Sequence, residues 1–272
     1  MHPTGAPVKD VLVRLCCIML AAGALLPLAY FLPRFDLTGP VAQAAYWTAE
    51  SGSRYGIPVI GVGMICVLLG RSGLSWRQRG AELLVILLAL ALLFGGAAYL
   101  NEFVVKRYFA VPRPNIRELA ATPPEAPVLK MSADQFYDMP TKAVRSEHLK
   151  KVLTPEAGPA MDEHVRDHWI AETGYSFPSG HSFSAMLFAT VFLALALSVF
   201  SGLRLWVFYL LVGWAVAVCF SRPILRVHSP TDICVGGFEG IVLGVLAFLL
   251  VRWLLERLSA GRAPPNDLGS VT

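Results

Sequence analysis

Three short runs in this 272-residue chain hold the residue types that handle a phosphoryl group. KRYFAVPRPN carries Lys106, Arg107 and Arg113-Pro114; FPSGH carries Ser179, Gly180 and His181; SRPILRVHSPTD carries Ser221, Arg222, Arg226, His228 and Asp232. A transferring phosphoryl group spreads negative charge over its equatorial oxygens and is stabilised by several aligned cations and amides. Lys106, Arg113 and Arg222 can supply that charge, the arginines as two-pronged forks. Ser179 and Gly180 stand where an apolar helix is expected to begin, and free N–H groups and the helix dipole attract an anion there. Glycine at that point lets an oxygen approach the backbone closely.

The two histidines divide the remaining work, one attacking phosphorus and the other protonating the departing oxygen. His228 has Asp232 four residues on, and a carboxylate that holds one ring nitrogen as N–H leaves the other free to attack. His181 has no such neighbour in sequence and suits the general acid. Each run alone has an ordinary structural explanation. Span-end arginines and lysines snorkel to the headgroups. Pro-Ser-Gly makes a turn, and Ser229-Pro230 with Asp232 makes a helix start.

The elements that must bring these runs together are membrane spans. Hydrophobic residues make up 55% of the chain and charged ones 15%, with a mean hydropathy of +0.57, whereas soluble domains carry nearer a quarter charged residues. Apolar runs predict six transmembrane helices at about 11–32, 56–73, 82–101, 183–200, 205–221 and 233–254. The expected fold is therefore all-α, a polytopic membrane protein forming a single domain over 1–272. Lys9, Arg14, Arg71, Arg77, Arg79, Arg204, Arg252 and Arg257 then share one face, which makes that face cytoplasmic and puts both termini inside. The long polar segment, about 104–180, lies outside as a small charge-balanced cap, and a flexible tail occupies about 260–272. All three chemical runs fall at the outer face, an agreement that the span count did not presuppose.

Other chemistries fare less well. A net charge of +4, with no basic cluster interleaved with aromatics, gives nucleic-acid binding no support. Cys16, Cys17, Cys66, Cys219 and Cys234 lie in apolar runs without zinc-site spacing and read as small buried hydrophobes. His164 and His168, four apart, could face one way on a helix, but no third metal ligand is marked. A transporter would line a mid-membrane path with its charges, whereas these gather at one interface.

The three runs together resemble the type 2 phosphatidic acid phosphatase family, whose pattern is K-x6-R-P, then P-S-G-H, then S-R-x5-H-x3-D. Lys106 to Pro114, Pro178 to His181, and Ser221 to Asp232 fit it without a departure. DQFY (Asp134 to Tyr137) and DHWIAETGYSFPSGH (Asp167 to His181) are similar to bacterial members. The resemblance implies a six-helix bundle in the bacterial inner membrane with its site facing the periplasm. It implies a metal- and cofactor-independent phosphohistidine mechanism, with His228 as nucleophile, His181 as acid and Asp232 behind His228. Lys106, Arg113, Ser179, Gly180 and Arg222 then bind the phosphate of a lipid substrate in the bilayer. Phosphatidylglycerophosphate, undecaprenyl pyrophosphate and phosphatidate are the substrates implied, and no obligatory protein partner is evident. A lipid A phosphatase or phosphotransferase would use the same site with another acceptor.

Overall fold

A computed structural model of the chain describes residues 6–121 and 128–260; the expected tail lies beyond its first residue outside them. The described residues are helical, without strands, and form a polytopic membrane protein. The first span, α1 (Val8–Leu25), continues through a 3-10 turn to Phe31. The second is not one rod. α2 (Pro40–Ser51) and α3 (Gly56–Leu69) meet at a bend of 62°, so the helices long and apolar enough to cross number five, or six with the bent pair counted as one. α2 escaped the apolar scan because its twelve residues include Gln43, Thr48 and Glu50.

The third span starts earlier and ends later than hydropathy implies. It runs as α4 (Trp76–Leu90), α5 (Gly96–Leu100) and α6 (Lys106–Phe109), joined through π-turns at Ala91–Gly95 and Asn101–Val105. A capping box of Ser75 and Gln78 fixes its beginning. Ala110, in the left-handed region at φ 45°, ends it and turns the chain toward Arg113.

The long polar segment folds as expected into a cap of short helices: α7 (Pro114–Ala121), α8 (Ala133–Tyr137), α9 (Lys142–Val152) and α10 (Glu163–Ala171). Its core of Ile116, Leu119, Phe136, Leu149, Val165 and Trp169 also takes in Leu37, Ala42 and Ala45 from the α2 region and Leu225 and Val227 from beyond α12. The cap therefore includes residues that the sequence assigned to a loop between spans. Water drives this core together, and burying each large apolar side chain contributes roughly 1.5–3 kcal/mol.

The last three helices, α11 (Gly180–Val199), α12 (Trp206–Ile224) and α13 (Pro230–Ala260), form the centre. α11 is buried on nearly all sides, so its apolar residues show no amphipathic pattern. In a membrane, where apolar surface gains little by leaving lipid, close packing of small residues holds helices together. α13 touches α11 through backbone: a Cβ on Gly236 would land on the carbonyl of Ser179, and one on Gly240 on that of Phe183. Those two glycines set the helix–helix distance directly beneath the Pro178–His181 turn. Among the cysteines only Cys219 is fully buried; Cys16, Cys17 and Cys66 lie on outward helix faces, so the expectation of buried cysteines fails for those three. A periodicity too weak to orient the spans hid this.

Candidate active site

The three runs meet where α11, α12 and α13 reach the cap. The loop between α12 and α13 is held by three consecutive carbonyls, each taken by a different part of the chain. Trp169 Nε1 donates to Leu225 O at 2.8 Å, Asn115 N to Arg226 O at 2.8 Å, and Arg113 Nη1 to Val227 O at 3.0 Å. Arg226 adopts φ 59°, a left-handed conformation that costs a non-glycine residue roughly 1–2 kcal/mol. Its side chain offsets this by donating to Glu118 at 2.9 Å and to Phe35 O at 2.7 Å. The next residue but one is His228, which this bracing fixes in place.

His228 is buried between two unlike neighbours. Nε2 lies 3.0 Å from Arg113 Nη1, and Nδ1 lies 3.5 Å from Asp232 Oδ2. Ser176 Oγ, 3.4 Å from Nδ1, donates a short hydrogen bond to the same carboxylate oxygen, and Ser229 N donates to it at 2.7 Å. Burial and the Arg113 charge push the His228 imidazole below its usual range, against the pull of Asp232. With Nδ1 as the protonated nitrogen toward Asp232, Nε2 presents its lone pair to the arginine side of the site.

Arg113 reaches the site from the chain between α6 and α7. Nε donates to Gly174 O at 2.9 Å, and Tyr137 Oη accepts from its backbone N at 3.1 Å. Tyr137, in the quoted DQFY, thus supports the first run from the cap. Arg222, 0% exposed near the end of α12, has Nη1 3.0 Å from His168 Nε2. His168 Nδ1 in turn lies 3.4 Å from Glu50 Oε1. Burial keeps the His168 imidazole below its ordinary pKa although Glu50 opposes it, so a neutral ring can accept from Arg222 while giving Nδ1–H to Glu50. His168 is therefore a support for Arg222, and His164 stacks on Tyr46 at 5.3 Å. Among the described residues no three His, Cys, Asp or Glu side chains gather as a metal site.

Glu172 joins the two guanidiniums, with Oε2 2.6 Å from Arg113 Nη2 and Oε1 3.4 Å from Arg222 Nη2. Burial raises its pKa, but Arg113 and Arg222 outweigh that and hold the carboxyl well below the usual carboxylate range. Lys106 is buried and paired with Glu102 at 2.9 Å; Lys142 of the cap bonds the other oxygen of Glu102.

The turn before α11 matches its expected role as a helix start. Ser179 Oγ caps the helix, accepting from Ser182 N at 3.4 Å and from Ser182 Oγ at 3.0 Å, and Phe183 N donates to Ser179 O. Ser179 N is itself bound to Asp232 O at 3.0 Å, which ties the second run to the third. The first-turn amides of Gly180 and His181 have no acceptor inside the helix, and a Cβ on Gly180 would meet nothing within 4 Å. An anion can therefore approach that backbone. His181 Nε2 is buried without a hydrogen-bond partner among the described residues.

Arg113, Arg222, His228, Asp232 and Ser179 are thus linked through shared contacts, with Gly180 and His181 beside them and Lys106 held by Glu102. Arg107 is instead exposed over the Phe103 ring, and Ser221 Oγ bonds back to Val218 O within α12. The sequence did not reveal Glu172, Ser176 or Glu50, and it marked His168 only as half of a possible metal pair; the fold supplies these residues from α2, α10 and the chain that follows α10. Glu172 stood in the quoted approach to the second run, but nothing in its spacing marked it as the partner of both arginines.

Comparison with known proteins gives a matching picture. The PAP2 superfamily matches residues 82–256. Phosphatidylglycerophosphatase B of Escherichia coli (strain K12) is 29% identical over 227 residues, covering 83% of this chain and 80% of that protein. The protein of that name from Haemophilus influenzae is 28% identical over 222 residues, covering 78% and 84%. That from Bacillus subtilis (strain 168) is 38% identical over 96 residues, covering 34% and 45%.

Proposed function

The chain belongs to the PAP2 superfamily, and from that premise we propose that it is a membrane lipid phosphatase working through a phosphohistidine on His228. The observation that carries the reading is the 3.0 Å approach of Arg113 Nη1 to His228 Nε2, because it sets a phosphate-binding fork beside the nitrogen that would attack. The names of the relatives favour phosphatidylglycerophosphate as substrate, and undecaprenyl pyrophosphate and phosphatidate offer the same terminal phosphate.

In the first half-reaction the phosphoryl oxygens engage Arg113, Arg222, Lys106 and the amides of Gly180 and His181. His228 Nε2 bonds to phosphorus as the bond from phosphorus to the lipid oxygen breaks. His181 gives that oxygen a proton, so the lipid leaves as an alcohol, or as a monophosphate if the substrate is a pyrophosphate. Asp232 stabilises the positive charge on the His228 ring. In the second half-reaction water attacks phosphorus, His181 takes up its proton, and the P–N bond breaks to return His228 and release inorganic phosphate.

Three cations at phosphorus supply the charge that a metal would otherwise bring, so the reaction is read as metal-independent. The basic loop residues orient the site toward the periplasm of a bacterial cytoplasmic membrane, with both termini inside.

The test is release of inorganic phosphate by detergent-purified protein from phosphatidylglycerophosphate and undecaprenyl pyrophosphate, with and without excess chelator. Release that persists in chelator and stops with vanadate is expected, since vanadate adopts the five-coordinate geometry of the transition state. Turnover lost in chelator and restored by a divalent ion would overturn metal independence.

A further inference from the structure

We propose that Glu172 occupies the seat of the substrate phosphoryl group and sets how strongly an anion must bind to enter. The inference rests on the phosphatase reading above. Four observations lead to it. The two carboxylate oxygens lie on two guanidiniums from different runs, 2.6 Å from Arg113 and 3.4 Å from Arg222, as two oxygens of a bound phosphate would. The Lys106 ammonium adds a third positive charge acting on the same carboxylate, so Glu172 sits among the site's three phosphate-binding cations. Its side chain is 23% exposed while those of Arg113 and Arg222 are 3% and 0%, so of the three groups only Glu172 reaches the solvent side of the site. The backbone beside it is fixed, with Thr173 O held by Arg145 and Gly174 O by Arg113, which leaves side-chain rotation as the means of departure.

The consequence follows from competition. A ligand that binds only the fraction of molecules with the seat free has its dissociation constant raised by the reciprocal of that fraction. The factor is the same for every anion, but its effect is not. A phosphomonoester brings close to two negative charges at neutral pH and three terminal oxygens, so it binds tightly enough to tolerate the loss. A phosphodiester, the group in ordinary bilayer phospholipids, brings one charge and two free oxygens, no more than the carboxylate it must displace. Glu172 thereby keeps abundant phosphodiester headgroups from standing in the site and admits phosphomonoesters and pyrophosphates. A permanently charged carboxylate suits this role, and the low pKa of Glu172 keeps it charged across the working range.

A purely structural Glu172 makes the opposite prediction, because removing it would leave two buried arginines unpartnered and disordered. Calorimetric titration of the full-length purified protein with inorganic phosphate and with glycerophosphocholine, a soluble phosphodiester, separates the two. In Glu172→Gln both ligands should bind about tenfold tighter or more, as expected when an internal competitor is removed. Glu172→Asp, too short to bridge both arginines, should show the same sign with a smaller change, and it carries the test if the glutamine variant does not fold. Unchanged or weaker binding of both ligands in the variants would overturn the proposal. The titration needs no turnover, so a wild-type protein that releases no phosphate from any lipid phosphate would sink the phosphatase reading separately.

Discussion

The two histidines sit in one site but in opposite kinds of surroundings. His228 is braced on every side: Asp232 and Ser176 flank Nδ1, Arg113 faces Nε2, and three consecutive carbonyls before it are pinned by the cap. His181 is a helix-start residue whose Nε2 meets no protein partner among the described residues. A nucleophile gains from a fixed direction of attack, since misplacement by an ångström costs orders of magnitude. A proton donor to many leaving groups gains from a free nitrogen that the substrate oxygen itself completes. The difference in bracing therefore predicts a difference in how the two halves fail.

The largest effect should come from His228→Ala, which removes the attacking atom. Turnover should vanish along with any acid-labile labelled phosphoenzyme in rapid quench. A labelled phosphohistidine that persists in His228→Ala and disappears in His181→Ala would reverse the two roles. Next come the arginines: Arg113→Ala and Arg222→Ala should each lower kcat by ~10³–10⁵, by analogy with arginine fingers. Arg222→Lys should recover only part, because a point charge cannot serve His168, Glu172 and phosphate together. Near-normal kcat in a folded alanine variant would reduce that arginine to a structural anchor.

Asp232→Asn tests the bracing itself. It should keep the shape yet mis-set the imidazole, lowering kcat by ~10²–10⁴ as for triad aspartates, with the phosphoenzyme forming slowly rather than not at all. The smallest effect belongs to His181→Ala acting on an activated aryl phosphate, whose leaving oxygen needs little help. With a lipid phosphomonoester the same variant should lose ~10²–10⁴, the usual range for general acid catalysis. Equal losses on both substrates would show that His181 does something other than protonate the leaving group.

The three runs were legible in the sequence because each packs its chemistry into a few residues beside a span end. Span hydropathy alone then placed them on one face. Their supports were not legible, since each depends on a meeting of distant segments. Ser176 touches Asp232 from across the loop before α11, and Glu50 reaches His168 only because α2 folds under α10. α2 itself was lost because a twelve-residue helix with polar positions does not register as a span. The π-turns at 91–95 and 101–105 leave no mark on residue type, so the third span read as an ordinary rod that ended too soon.

The glycine contacts between α11 and α13 bear on how the protein sits in lipids of different chain length. Backbone packed on backbone at Gly236 and Gly240 leaves the two helices little room to slide or tilt against each other. α13, at 31 residues, extends about 46 Å at 1.5 Å per residue, well beyond a hydrocarbon core of about 30 Å. A thinner or thicker bilayer must then be met by tilting the α11–α13 pair as one body and by bending the peripheral spans, at the 62° break between α2 and α3 and at the π-turns of 76–109. Hydrophobic mismatch is thus taken up at the rim, and the spacing beneath the Pro178–His181 turn stays constant from one membrane to the next.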